Sequence, residues 1–131
     1  MHLNYLAADS HLLPTDLFHL AKVQQWQFFE QYSHEPYIAV ARFIAKYLGL
    51  PDDRKADYEA KHQGGYKALD VMEIQLTTTP YLVGEQITVA DISLFAYTHV
   101  AEEGGFELTN YPAILAWLDR VKNTPNYVAM S

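Results

Sequence analysis

Apolar residues in this chain recur at steps of three and four almost throughout, and nothing alternates at period two for long enough to require a strand. That spacing confines the fold to packed helices. The run Tyr81-Leu82-Val83-Gly84 is the one weak strand candidate. The chain has 131 residues, 50% hydrophobic and 19% charged, which is enough to bury a core as one ordinary domain. It contains no cysteine, so disulfides, thiolate metal sites and a cysteine nucleophile are all excluded.

Prolines and glycines divide the helical pattern. Residues 2–8 read as a short helical turn ended by Pro14, after which Thr15 or Asp16 caps a long helix. Leu17, Leu20 or Ala21, Gln24 and Phe28 form its expected inner stripe, thickened by Val23, Trp26 and Phe29. Pro36 lacks an amide proton and clashes with the preceding turn, so a kink or break is expected around residues 31–35. The pattern resumes with Ile38, Ala41, Ala45 and Leu48, then stops at Gly49 and Pro51. Asp52 or Asp53 opens the next helix, in which Tyr66, Leu69, Met72 and Leu76 keep step. Gly64 and Gly65 weaken its middle and mark a close helix crossing or a bend. After a loop over residues 77–86, Ile92, Phe95, Ala96 and His99 mark a helix stopped by Gly104-Gly105. Ile114, Leu118 and Val121 mark another, with Pro112 in its first turn, and Thr124-Pro125 starts a last short turn. The fold class is all-α, a bundle of about five helices.

The best-braced helix start lies in GEQITVADISLFAY, residues 84–97. Thr88 as N-cap and Asp91 three residues on form a capping box, with aspartate in the glutamate position. Ile87 and Ile92 flank the pair as a hydrophobic staple, and the carboxylate sits at the positive end of the helix dipole. Such bracing fits a helix whose first amides are out of reach of water. Asp91 is therefore read as structural and not as a catalytic acid.

Sixteen acidic and nine basic residues give a net charge of −7, which argues against nucleic-acid binding. Arg54, Lys55, Lys61 and Lys67 alternate with Asp52, Asp53, Asp57 and Glu59, the pattern of a solvated helix face. No apolar run approaches spanning length, no signal-peptide layout opens the chain, and the expected setting is cytoplasmic without membrane attachment. Glu30 with His34, and His99 with Glu103, stand four apart and read as ordinary helix pairs. Zinc needs three or four ligands and no third stands nearby, so no metal is expected. His2, His11, His19 and His62 show no ligand spacing, and there is no phosphate loop or nucleophile motif.

Residues 81–130 resemble the C-terminal half of a glutathione transferase. The resemblance rests on the apolar-Gly-x-x-Ile-Thr-x-Ala-Asp signature at Val83 to Asp91, followed by Tyr111-Pro112, Trp117 and Pro125. Residues 5–43 resemble the interdomain link and first long helix of bacterial members. This implies a remnant of the interdomain helix and linker over residues 1–14 and the helical domain over 15–131. Complete members carry a thioredoxin-like domain before this region, which binds glutathione and activates its thiol. On that alignment Met1 falls where the last helix of that domain ends. The chain is then expected to need no cofactor alone, to have no catalytic residue of its own, and to be inactive without the missing half.

The resemblance places Tyr32, His34 and Glu35 at the cleft, where family members bind the hydrophobic co-substrate. The alternative is that Tyr32 packs under the kink and His34 is a solvated rim residue. Trp26 and Trp117 are assigned to packing. With 14% aromatic residues, a helical half also exposes surface that normally docks its partner domain. A homodimer through residues 15–48 and 53–77, or a thioredoxin-like partner domain, is expected to cover it. A stand-alone assembly module of the same fold is the competing reading, and a carrier of hydrophobic small molecules is a third.

Overall fold

The computed structural model describes residues 13–49 and 51–124. Among these, five α-helices follow in order: α1 Leu17–Phe29, α2 Glu35–Lys46, α3 Lys55–Thr78, α4 Val89–Thr98 and α5 Pro112–Lys122. The expected interdomain remnant lies outside the described residues except for Leu13 and Pro14, as does the chain from Pro125 onward. The Tyr81-Leu82-Val83-Gly84 run forms a single isolated bridge between Tyr81 and Gly84, a tight loop and not a strand. Among the described residues no helix is long and apolar enough to cross a membrane.

α1 starts where the Asp16 carboxylate accepts the His19 amide at 3.0 Å. The stripe expected on α1 faces the wrong way. Leu17 is 84% exposed, and Gln24 and Phe28 are also exposed, whereas Val23 and Gln27 are buried. The reason is physical: α1 carries apolar residues on more than one side, and spacing by three and four does not choose between such sides.

Pro36 does not break the helix. Glu30–His34 forms a π-helical turn in which the Glu35 amide donates to the Glu30 carbonyl, five residues back. The wider turn accommodates the hydrogen bond that Pro36 cannot make, and the chain runs on into α2 with proline in its first turn. Inward-facing Ile38, Ala41 and Ile44 then pack α2 into the core.

The double glycine of α3 marks a close crossing, as expected. A side chain at Gly64 would strike the Tyr37 ring, and one at Gly65 the Phe106 ring. The second double glycine stops a 3₁₀ helix and not α4: Gly105, at φ 89°, is its left-handed C-cap. α4 ends at Thr98, and Ala101–Gly104 forms a 3₁₀ turn beyond it. Gly104 lies against the α2 backbone, where an added Cβ would come 2.8 Å from the Arg42 nitrogen. Its carbonyl accepts from the Tyr58 hydroxyl at 2.7 Å and from His62 Nε2 at 2.6 Å. A carbonyl only accepts, so His62 carries its proton on Nε2. The Tyr66 hydroxyl accepts the Glu107 amide at 2.9 Å, completing a strap that ties residues 101–107 to α3.

α4 begins with a reciprocal capping box. The Thr88 hydroxyl accepts the Ala90 amide at 3.2 Å, and Asp91 Oδ2 accepts the Thr88 amide at 2.8 Å. Asp91 Oδ1 takes two further donors, the Leu82 amide at 2.9 Å and Trp117 Nε1 at 2.8 Å. One fully buried carboxylate thus joins the loop before α4, the start of α4 and the middle of α5. Burial holds its carboxyl above the usual aspartate range, and the bonds from Leu82, Thr88 and Trp117 offset that rise only in part. Ile87 packs on the core beside the cap, and Ile92 is half-buried.

α5 is capped from a distance. The Glu73 carboxylate on α3 accepts the Ala113 and Ile114 amides, both at 2.9 Å. Pro112 in the same first turn has no amide to satisfy.

Two outcomes follow for urea unfolding. Asp91→Asn presents an amide donor to at least one of the donors now served by the carboxylate. It should cost about 1–3 kcal/mol, more than the roughly 1 kcal/mol of Thr88→Ala; equal losses would remove Asp91 from its place as a shared acceptor. Gly104→Ala meets backbone and should cost about 1–3 kcal/mol. Gly64→Ala meets a half-buried tyrosine ring that can swing aside, and should cost less.

Candidate functional site

The π-turn and its flanks carry the residues singled out for the cleft, and they point in different directions. Tyr32 is 66% exposed and stacks on exposed Phe28, with ring centroids 6.3 Å apart and planes inclined by 18°. His34, two residues on, is fully buried. Glu35 is half-buried beside half-buried Glu30. Burial, with a smaller contribution from the Glu35 charge, holds the Glu30 carboxyl above the usual range. Tyr32 and His34 thus exchange the places that the packed-tyrosine, solvated-histidine alternative gave them.

His34 Nε2 lies 2.7 Å from the Thr98 hydroxyl at the end of α4, a buried hydrogen bond spanning 64 residues. Its Nδ1 has no hydrogen-bond partner. Desolvation lowers its pKa to about 3, so the ring is neutral at pH 7. The expected Glu30–His34 pair does not form, because the ring turns inward to Thr98. The His99–Glu103 pair also fails. His99 Nδ1 donates to the Phe95 carbonyl at 2.8 Å, and Glu103 instead takes Arg42 at 2.5 Å and Lys46 at 3.1 Å. Arg54 and Lys61 do meet Asp57, at 2.9 and 3.9 Å, on the solvated face of α3.

Two open hollows lie along the seam between α1 and α3, sharing Phe29 and Val71. The first, about 370 Å³, has Phe18, Trp26, Leu82 and Val83 on its walls, with Lys22 and Gln75 as polar members. The second, about 420 Å³, is bounded by Ser33, Tyr37, Gly64 and Lys67. Both have the size of small-molecule sites, and the first is mostly apolar. Tyr32, His34 and Glu35 line neither. Trp26 packs on the core only in part and lends one side to the first hollow, whereas Trp117 is fully enclosed.

The family model for the glutathione S-transferase C-terminal domain matches residues 19–125. The chain belongs to the glutathione S-transferase family. A crystal structure of a glutathione S-transferase from Pseudomonas fluorescens is 60% identical, with a TM-score of 0.96 over 98% of this chain and 64% of that one. The glutathione S-transferase-like protein FUS3 of Gibberella fujikuroi is 30% identical over 91% of this chain and 61% of its own length. The probable elongation factor 1-gamma 1 of Arabidopsis thaliana is 31% identical over 70% of this chain and 22% of its own. The chain therefore spans less than two thirds of the length of each of these relatives.

Sequence reasoning missed Thr98, Glu73 and the Trp117–Asp91 bond. Only Thr98 left a signal: it stands seven residues after Asp91, two turns along the same buried face of α4.

The neutral, buried His34 makes the stability of this domain depend on pH. An unfolded histidine takes a proton near pH 6.5, while His34 in the folded chain refuses it until about pH 3. Between those values the unfolded chain binds more protons, so stability is full above pH 6.5 and falls as pH drops, by about 1.4 kcal/mol per unit. Urea melts at pH 4.5 and 6.5 should show a smaller difference for His34→Leu than for wild type. Equal differences would mean that His34 titrates normally in the folded chain.

Proposed function

We propose that this chain acts as the helical half of a glutathione S-transferase, supplying the apolar wall for a hydrophobic electrophile and the contacts for a homodimer. The observations that carry the reading are the open apolar seam between α1 and α3 and, outside it, the exposed Phe28–Tyr32 pair where α1 enters the π-turn, on a domain of this family. Tyr32 is the wall residue, Glu35 sits at its rim, and His34 contributes from behind. Leu17 and Ile74, exposed on α1 and α3 and outside the hollows, belong to the face on which a second copy pairs. Glutathione is the co-substrate, held and activated by a thioredoxin-like domain. The wall residues act by placing the electrophile near the activated thiolate. The chain itself contributes no catalytic group and binds no cofactor, metal or nucleic acid. Its setting is the cytoplasm.

A second reading is favoured by the 31% identity to a probable elongation factor 1-gamma: a non-enzymatic assembly module that uses the same exposed helix faces. Purified chain mixed with glutathione and chlorodinitrobenzene separates the two readings in part. No turnover above the uncatalysed rate is expected alone, and turnover is expected once a thioredoxin-like half from a close relative is joined to it. Turnover by the chain alone would overturn the division of labour. Failure of the joined protein, with a stable protein complex forming in the absence of glutathione, would select the assembly module. Light scattering at micromolar concentration should give twice the chain mass.

A further inference from the structure

His34 is an expensive choice for its position. A buried imidazole with an unpartnered nitrogen is disfavoured relative to an apolar side chain of similar volume, and such a group in a folded protein calls for an explanation. What histidine provides and leucine does not is a directional bond, from the π-turn on one helix to Thr98 on another. The π-turn is the segment that most needs one. Its wider hydrogen-bonding pattern is intrinsically weaker than the α-helix on either side, and Pro36 removes a further amide from its C-terminal edge. The exposed face of the same turn presents Tyr32, stacked on Phe28 and otherwise in solvent.

We propose that the His34–Thr98 hydrogen bond is a positioning contact that fixes the π-turn and thereby the direction in which Tyr32 and Phe28 face an apolar aromatic ligand. This rests on the reading of Tyr32 as a wall residue. His34 and Thr98 touch no ligand; they act through the turn. Tyr32 and His34 lie two residues apart on one turn, one outward and one inward, so a rotation of the turn that released His34 from Thr98 would also re-aim Tyr32. The exposed pair is ordered only as well as the turn beneath it.

The test is a titration of the full chain with anilinonaphthalene sulfonate, an aromatic anion that fluoresces in apolar surroundings. Thr98→Val keeps the shape of the side chain and removes the hydroxyl. It should weaken the probe about 5-fold, the effect of one hydrogen bond, with an unchanged helical circular dichroism spectrum. His34→Leu should do the same, and Thr98→Ser, which keeps the hydroxyl, should bind as wild type does. Tyr32→Ala should also weaken the probe. The double variant Thr98→Val/Tyr32→Ala should bind no more weakly than Tyr32→Ala alone, because a contact that acts through Tyr32 has nothing left to act on. Wild-type affinity in Thr98→Val, the same 5-fold loss persisting without Tyr32, or loss of helical signal in Thr98→Val would each overturn the positioning role. If wild type does not bind the probe, or Tyr32→Ala binds as wild type does, the wall reading itself fails and the inference falls with it.

Discussion

The fold depends on one buried carboxylate. Asp91 has four hydrogen-bond donors within reach, and they come from three places: the loop at Leu82, the cap at Thr88 and the indole of Trp117. A charge taken out of water is costly unless it is fully partnered, and here the donors come from separate segments, two of which Arg120 of α5 also joins by donating to the Pro80 carbonyl. The carboxylate therefore specifies arrangement as much as it stabilises. The loop over residues 79–87 can close over α4 in one way only, with its Leu82 amide on Oδ1. α5 can dock in one register only, with the indole on the same oxygen. An apolar residue at position 91 would avoid the desolvation and would leave the Leu82 and Thr88 amides and the Trp117 indole buried without that acceptor.

Around that centre the helices divide into two kinds of surface. α4 is enclosed on most sides, whereas α1 and α3 keep apolar residues open to solvent at Leu17, Phe18, Phe28, Val71 and Ile74. The enclosed side is held by directional bonds: Asp91 to Trp117, His34 to Thr98, and Glu73 to the start of α5. The hollows lie between α1 and α3, and the stacked aromatic pair is exposed where α1 enters the π-turn. The rigid side thus backs the side on which ligand or partner contacts are made, and the π-turn is where the two meet.

Much of this was legible in local spacing. The capping box is a contact between residues three apart, and its two partners can be read from Thr88 and Asp91 alone. The Gly64-Gly65 pair pointed to a close crossing or a bend, and the Tyr37 and Phe106 rings packed on it decide for the crossing. Legibility failed where the deciding partner is distant or where a helix departs from 3.6 residues per turn. Gly104 looked like a helix stop, but its constraint is the Arg42 backbone, 62 positions away. The π-turn inserts a residue that α-helical counting does not allow for, so counting does not decide which side of residues 30–34 faces inward, and the alternative of a packed Tyr32 and a solvated His34 is reversed. The stripe on α1 failed for a third reason. Val23 to Gln27 obeys the same spacing as Gln24 to Phe28, and only the position of the core distinguishes them.

The distant cap on α5 bears on the order in which the chain becomes a protein. Glu73 leaves the ribosome some forty residues before the Ala113 and Ile114 amides that it will serve, and Asp91 precedes its indole by twenty-six. Chains are made from the N-terminus and domains tend to fold as they emerge, yet here two acidic anchors on the earlier helices stay incomplete until the last described helix is made. The nascent chain can form α1 to α3 and still not close. Closure waits for α5, which arrives with both missing sets of donors at once. The two anchors are completed only when α5 has emerged and docked.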